Sequence, residues 1–289
     1  MNRDRPVQDL TKAHTVLKEA NFSCLEIKLS VPVPKHQQII GELIGLQAQD
    51  RQCNLSQFRS ITSAEQYQKL YQLLQQYVAP RSAVLDWGCG NGHFSYFLAR
   101  SDYQAYGYAF EDFYLRQKLN QFTYEFKQGT STDAIAIPYA DQQFDAVVSV
   151  GVLEHVRETG GNEIASLKEI FRLLKPGGYF ICYHLPNQFS WIDPIAALVP
   201  NKHHHLYRYT HQSIQALCQA AGYDLLELQR YGVLPRNFWG NLPGSIRTSA
   251  AIAQGWQLAD TTLSYIFSPF CQNYWFVAQK PSNSHCPTA

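Results

Sequence analysis

Three glycines follow an acidic residue closely in the segment VLDWGCGNGHF, residues 84–94. Gly88, Gly90 and Gly92 each cost about 0.5–1 kcal/mol relative to alanine in regular structure, so bare backbone must be needed there. A glycine turn that leads into a helix exposes amide groups, and the N-terminus of the helix favours negative charge. Asp86 adds a carboxylate at the same place, which favours a cation. The turn therefore suits a ligand with both an anionic and a cationic group, such as an amino-acid moiety.

The spacing of these glycines differs from that of two common phosphate-binding motifs. A dinucleotide fingerprint reads G-x-G-x-x-G, whereas His93 stands here where the third glycine belongs. The Gly-Lys-Ser/Thr end of a P-loop does not occur in the chain. Pyrophosphate also fits poorly, because Asp86 would repel it. An oxidoreductase with a nucleotide cofactor therefore remains only as an alternative, on grounds of fold.

Two further segments contain histidines that could take part in catalysis or binding. His155, in LEHV, directly follows a predicted strand, and an unperturbed imidazole pKa near ~6.5 suits a general base. Alternatively, His155 has only a structural role and anchors the loop. In HHH, residues 203–205, consecutive side chains cannot all face one point. We expect one or two of these histidines to line a substrate pocket, and we expect no metal site.

From Ala83 onward the chain alternates between segments typical of strands and segments typical of helices. AVLD, YQAYGYA, YEFKQ, FDAVVSV and YFICYHLP read as strands, and DLLELQRY and NYWFVAQK as the last two. The segment NEIASLKEIFRLLKPGG is a clear amphipathic helix that a proline and two glycines end. This order predicts an α/β fold: a Rossmann-like, seven-stranded, mostly parallel sheet with helices on both faces. Ligands bind beyond the carboxyl ends of such strands.

The first 80 residues lack this alternation and are rich in glutamine. One helix is predicted over HQQIIGELIGLQAQ, and a second from Thr62, where Thr62 and Glu65 fit a capping box. We therefore expect an N-terminal helical cap over residues 1–80. The main domain would then cover residues 81–280, with a disordered tail at 281–289.

Two connections are long for this architecture, since loops of about 2–6 residues are usual. They span residues 187–210 and 232–272 and are rich in aromatic residues and prolines. Long inserts of this kind are typical of lids over a binding site. We expect both inserts to cover the bound substrate, with the N-terminal helices completing the wall of the pocket.

The glycine segment resembles the first motif of class I S-adenosylmethionine-dependent methyltransferases. Residues 132–156 and 173–186 resemble the family's middle motifs and the segment around its fifth strand, in the family's order. HHHLYRYTHQSIQALCQAAGY resembles the later helix of the family's small-molecule, methyltransferase type 11-like branch. The resemblance runs from about Ala83 to Lys280, and it implies methyl transfer from S-adenosyl-L-methionine.

The resemblance also implies which residues bind the cofactor. Asp86 would contact the methionyl amino group, and the turn after it would line the methionyl portion. An acid before the fourth strand would bind the adenine amine. The implied positions are Asp86, Gly88, Cys89, Gly90, Asp133, Ala134 and Val150.

The acid that binds the ribose in this family, normally the last residue of the second strand, is replaced by Ala109. Glu111 and Asp112 follow in the turn AFED. We predict that Glu111 takes the ribose role and that Asp112 caps the following helix, FYLRQKL. Because this acid is missing, an alternative function remains, in which the protein binds S-adenosylmethionine without catalysis.

The expected acceptor is an apolar or aromatic small molecule, with O-methylation slightly favoured. The net charge of +1 argues against a nucleic-acid partner, which usually demands a basic face. The aromatics of the inserts could instead form a dimer interface or a core. Some relatives use a Glu-His pair at this position to hold a divalent metal, so Glu154 and His155 could instead be metal ligands. We predict His155 as the catalytic residue and, as acceptor-binding residues, His184, His205, Tyr207 and Trp239.

Seven cysteines without a CxxC pair argue against a disulfide framework and favour a reducing compartment. No signal peptide is recognisable, and no apolar run approaches the ~18 residues of a membrane span. We expect a cytoplasmic protein without a membrane span, as a monomer or homodimer.

Overall fold

A computed structural model describes residues 34–130, 132–198 and 205–282. The chain divides into two compact units, Met1–Pro34 and Lys35–Ala289, and the elements described here belong to the second. Three predicted segments lie wholly or partly outside the described residues. They are most of the first half of the expected N-terminal cap, two histidines of HHH and most of the expected tail.

Seven strands form one sheet. They are β1 (Ala83–Trp87), β2 (Gln104–Ala109), β3 (Tyr124–Gln128), β4 (Phe144–Val150), β5 (Leu174–Pro186), β6 (Asp224–Tyr231) and β7 (Asn273–Gln279). Their order is β3-β2-β1-β4-β5-β7-β6. Strands β1 to β5 pair in parallel, and β7 runs antiparallel to β5 and β6. The predicted Rossmann-like sheet is confirmed, and the reversal of order between β1 and β4 marks the expected position of a ligand crevice.

The described residues contain ten α-helices. They are α1 (Lys35–Gln49), α2 (Ile61–Ala64), α3 (Gln68–Tyr77), α4 (His93–Arg100), α5 (Arg116–Leu119), α6 (Glu163–Leu173), α7 (Ile192–Ala197), α8 (His211–Ala221), α9 (Gly244–Arg247) and α10 (Ala250–Ile266). None of them is long and apolar enough to cross a membrane.

The core has two layers because successive side chains of a strand point to opposite faces of the sheet. Val84 belongs to one buried cluster, which also includes side chains of α1, α3 and α4. Leu85 belongs to the other cluster, together with side chains of α6 and α8. The N-terminal helices α1 and α3 therefore share a core with β1.

The second N-terminal helix does not begin at the predicted capping box. Ser60 is the N-cap of α2, and its Oγ accepts a hydrogen bond from the Ser63 backbone N–H at 3.1 Å. Thr62 is buried inside α2, and a 3₁₀ turn at Glu65–Tyr67 leads into α3. The prediction was wrong because Ser60, with its extended backbone, offers the earlier cap.

The two long inserts are ordered where they are described, and they bind each other. Insert 187–210 contains α7, and insert 232–272 contains α9 and α10. The Trp191 indole N–H donates to the Val233 carbonyl at 2.8 Å, and the Asn187 side-chain amide donates to the carbonyls of Pro269 and Cys271.

Candidate active site

A cavity of about 1510 Å³ lies where β1, β4 and β5 end. Asp86, Gly88 and Val150 line it from the sheet. Residues of the N-terminal helices close one side, and residues of both inserts close another. One cavity is therefore shared by the glycine turn, the N-terminal helices and the inserts.

Glycine is needed at these positions of the turn for two different reasons. Gly88 and Gly92 have φ of +74° and +82°, and a Cβ would lie 2.5 Å from a Val152 methyl carbon and 2.2 Å from the Phe113 ring. Their missing side chains make room for the protein's own packing. At Gly90, with φ of +49°, the nearest atom to a Cβ is a backbone oxygen 3.9 Å away. Gly90 alone leaves open space, and it lines the cavity.

Asp86 is a buried carboxylate at the floor of this turn. It is 1% exposed, and the Ser95 hydroxyl donates to its Oδ2 at 2.7 Å. Burial raises the pKa of Asp86 to about 7, and the hydrogen bonds from Ser95 oppose this rise only in part. A buried carboxyl without a cation nearby gains from a cationic ligand group. The site thus fits the ammonium group of an amino-acid moiety.

His155 lies on a 3₁₀ turn after β4 and lines the cavity. Its Nδ1 is 3.1 Å from a Glu158 carboxylate oxygen. Glu154 and His205 are close by, and one ligand atom from each of the three residues lies within 4.8 Å of the others. Ligands around one zinc ion lie within about 4 Å of one another, because each bond is about 2 Å long. The three side chains would have to approach one another to share an ion.

His184 lines the cavity from β5, and its backbone has φ of +64°. The Tyr231 hydroxyl is 2.6 Å from His184 Nδ1 and accepts from the His184 backbone N–H at 3.1 Å. His205, from the first insert, also lines the cavity. The structure therefore brings His155, His184 and His205 to the lining of one cavity.

The other predicted acceptor-binding residues do not line this cavity. Tyr207 lies in a separate surface depression, where the Arg157 guanidinium stacks 4.9 Å from its ring centre. Trp239 is buried against Trp256, with ring centres 4.9 Å apart, although its neighbour Phe238 does line the cavity.

The acids predicted for adenine and ribose also lie outside the cavity lining. Asp133 Oδ1 accepts from the backbone N–H groups of Ile135 and Ala136, and these bonds lower its pKa. Ala134 is half-buried beside it, and Glu111 is exposed. Asp133 therefore has one oxygen engaged in its own turn.

Asp112 is not the helix cap that the sequence predicted. Helix α5 begins only at Arg116, with Leu115 before it. The carboxylate of Asp112 instead accepts from the Phe113 backbone N–H and pairs with the Arg116 guanidinium at 2.6 Å. Between Asp112 and the helix, the buried Phe113 ring packs against Gly92, where a Cβ would lie 2.2 Å from it.

Sequence reasoning missed several residues that line the cavity. The rings of Tyr67 and His93 lie 4.4 Å apart, and burial lowers the pKa of His93 to about 4. Arg236 and Asp260 form a buried ion pair at 2.6 Å in the same wall. His93 stood out only as a departure from the dinucleotide fingerprint. Tyr67 and the ion pair gave no signal, because their partners are distant in sequence.

A family model described as a methyltransferase domain matches residues 58–228. The chain belongs to this methyltransferase family. The methyltransferase resemblance of the sequence is thereby confirmed at the level of the family.

Among curated relatives, the methyltransferase is similar to the ubiquinone/menaquinone biosynthesis C-methyltransferase UbiE of Bartonella tribocorum. The identity is 29% over 137 residues, which cover 42% of this chain and 48% of the relative. It is also similar to "Probable tRNA methyltransferase 9B" of Mus musculus, at 32% over 104 residues, covering 36% and 22%. The chain thus spans less than half the length of these curated relatives. The crystal structure of the [4+2]-cyclase SpnF shares the fold, with a TM-score of 0.51, 21% identity, and coverage of 76% and 82%.

Proposed function

We propose that this methyltransferase transfers the methyl group of S-adenosylmethionine to an apolar or aromatic small molecule, with transfer to oxygen slightly favoured. The observation that carries the proposal is that one cavity contains both the Asp86–glycine turn and a wall of rings. The rings that line it include Tyr67, Tyr183, Tyr231, Phe238 and Trp275. Cavities lined by aromatic side chains with a few convergent polar groups are typical of small-molecule sites.

The cofactor-binding part of the proposal rests on charge and on open space. Asp86 would bind the methionyl ammonium group, and Gly88, Cys89 and Gly90 would lie against the methionyl chain. Asp133 and Ala134 would contact the adenine, and Val150 would pack near the cofactor. Glu111 is our proposed ribose ligand, since the carboxylate of Asp112 is already paired with Arg116.

We propose His155 as the general base. S-adenosylmethionine supplies an electrophilic methyl group on its sulfonium. As an acceptor hydroxyl takes that group, His155 would accept the hydroxyl proton, so that an O–C bond forms while the S–C bond breaks. The carboxylate of Glu158, 3.1 Å from Nδ1, would orient the ring and stabilise the imidazolium that forms.

A small molecule is favoured over nucleic acid because the described lining of the cavity offers few free cations. Of the described lysines and arginines that line it, Arg236 is paired with Asp260 and Arg230 donates to the Tyr274 hydroxyl. The third, Lys69, lies over the Trp275 ring. Nucleic-acid binding depends on cations available for phosphates. The tRNA methyltransferase relative makes tRNA the alternative to be tested.

The test uses S-adenosylmethionine with a tritiated methyl group. The protein is incubated separately with a panel of simple phenols, catechols and hydroquinones and with total tRNA. We expect label in organic-extractable product and none in acid-precipitable RNA. Label in the RNA alone would overturn the proposed acceptor class. The Asp86→Ala variant, which should lose cofactor binding, is the control for each arm.

We also propose a reducing, cytoplasmic setting and a monomer or homodimer. Support for the compartment comes from the cysteines of the described residues, which are buried and unpaired. The division at residue 80 is likewise a proposal, in which the N-terminal helices complete the wall of the cavity. Analytical ultracentrifugation of the full chain tests the oligomeric state.

A further inference from the structure

The side chain of Tyr124, on β3, reaches across β2 toward the floor of the glycine turn. Its Cα pairs with that of Ala105, but its hydroxyl lies against Gly107, where a Cβ would overlap it. Gly107 pairs in turn with Asp86 of β1. A glycine inside a strand often marks the close approach of another group. The glycine of β2 therefore leaves a passage from β3 toward β1.

Two hydrogen bonds at the end of this passage form a relay with one direction. Ser95 of α4 donates from Oγ to Asp86 Oδ2 at 2.7 Å, and the same Oγ is 3.1 Å from the Tyr124 hydroxyl. A serine hydroxyl has one proton and two lone pairs. When Asp86 is ionised, its carboxylate can only accept, so the proton of Ser95 is used there. The Tyr124 hydroxyl is then the donor to Ser95.

The relay lies in a buried environment whose other ionisable groups stay uncharged. Ser95 and Asp86 are both fully buried. Among the described residues, the other ionisable side chains that interact with Asp86 are Cys89 of the turn and Tyr71 of α3. Burial raises the pKa of both, and also that of Tyr124, so all three stay protonated near neutral pH. Tyr124 therefore always has a proton to donate in this range.

We propose that Ser95 and Tyr124 are positioning residues for cofactor binding, which hold Asp86 as a carboxylate and leave its Oδ1 for the methionyl ammonium group. The proposal rests on the proposed function, in which Asp86 binds that group. A hydrogen bond donated to a carboxylate stabilises the charged form, and it also fixes the orientation of the carboxylate. Asp86 lines the cavity, whereas Ser95 and Tyr124 do not. Both residues therefore act through Asp86 and not by contact with a ligand.

The first test measures the ionisation of Asp86 without cofactor, by carbon NMR of the full chain labelled with ¹³C-aspartate. The Asp86→Asn variant assigns the carboxyl resonance. In Ser95→Ala the pKa of Asp86 should rise, because the carboxylate loses a donor. In Tyr124→Phe the pKa should rise less, since Ser95 still donates but is no longer polarised by a second hydrogen bond. An unchanged pKa in Ser95→Ala overturns the relay and leaves the assignment of Asp86 to the ammonium group standing.

The second test measures S-adenosylmethionine binding by calorimetry at pH 6 and pH 8. Loss of one hydrogen bond to a charged group changes an ionisation constant by about tenfold, or ~1.4 kcal/mol. With the pKa of Asp86 at about 7 in the parent, Ser95→Ala should weaken binding about tenfold at pH 6 and about twofold at pH 8. Tyr124→Phe should weaken it about twofold at pH 6. Equal losses at both pH values would indicate a merely structural defect and overturn the proposal.

The double variant Ser95→Ala/Tyr124→Phe distinguishes a relay from two independent effects. If Tyr124 acts through Ser95, the double variant should bind no more weakly than Ser95→Ala alone. Additive losses overturn the role of Tyr124.

Two matched controls remove hydroxyl groups elsewhere. Tyr223→Phe removes a hydroxyl on the other face of the sheet, and Ser166→Ala alters a buried serine of α6. Both should leave the pKa of Asp86 and the affinity unchanged. A raised pKa with unchanged affinity in Ser95→Ala overturns the role in cofactor binding, and with it the assignment of Asp86. Neither test depends on methyl transfer, so these outcomes are distinct from a failure of the tritium assay.

Discussion

The buried carboxyl of Asp86 makes cofactor affinity depend on pH in a way that can be calculated. Burial raises its pKa to about 7, whereas a bound ammonium group needs the carboxylate. Below that pKa a proton must leave before the cofactor binds, and the apparent dissociation constant rises by the inverse of the ionised fraction. Affinity should therefore increase as the pH rises.

The size of the effect follows from the ionised fraction of Asp86. With a pKa of about 7, the apparent dissociation constant is raised about 11-fold at pH 6 and about 1.3-fold at pH 7.5. S-adenosylmethionine should thus bind about eightfold more tightly at pH 7.5 than at pH 6, which equals ~1.2 kcal/mol. Binding should also release about 0.9 proton at pH 6 and about 0.2 at pH 7.5.

Isothermal titration calorimetry in buffers with different ionisation enthalpies measures both quantities. The control is Asp86→Asn, which should bind more weakly and should lose the proton release assigned to Asp86. Contributions from other groups remain in both proteins and cancel in the comparison. Equal pH dependence in parent and variant would refute the reasoning.

Three further predictions concern the surroundings of the cavity. His93 has a lowered pKa of about 4, so the unfolded chain binds more protons than the folded one between about pH 4 and 6.5, and stability falls as the pH falls through this window. His93→Phe should therefore show a smaller loss of Tm between pH 7 and pH 5, measured by scanning calorimetry. Gly88→Ala should weaken cofactor binding through its clash with Val152, and adding Val152→Ala should restore part of the affinity, as a double-mutant cycle would show. Glu111→Ala should weaken S-adenosylmethionine binding about tenfold, or ~1.4 kcal/mol, with Tm unchanged, whereas Asp112→Ala should lower Tm slightly and spare affinity, because an exposed pair contributes about 0.3–0.5 kcal/mol. Equal effects of the last two substitutions on affinity would remove Glu111 from the ribose role.

The sequence predicted the order of strands and helices well because that signal is local. The apolar run of β1, the amphipathic pattern of α6 and the glycine after α8 each act within about a dozen residues. Errors occurred where a neighbour in space decided the outcome. Just before the short helix α5, Phe113 packs against Gly92, which lies 21 positions earlier in the chain, and no local pattern shows this contact.

The candidate site was only partly predictable, for the same reason. A motif indicated Asp86 and the glycines, but nothing in the motif showed that Val152 and Phe113 occupy the space beside Gly88 and Gly92. The contact of His184 with Tyr231 joins residues 47 positions apart. It requires a bulge in β5 and the sheet order, neither of which periodicity encodes.

His155 and His184 both line the cavity but differ in the partner of Nδ1, and this difference favours separate roles. His155 has a carboxylate, Glu158, whose negative charge stabilises an imidazolium. His184 has a phenol, Tyr231, which offers no such charge, and it lies in surroundings that keep it neutral. In the proposed reaction, a proton released during methyl transfer is therefore better accepted by His155 than by His184.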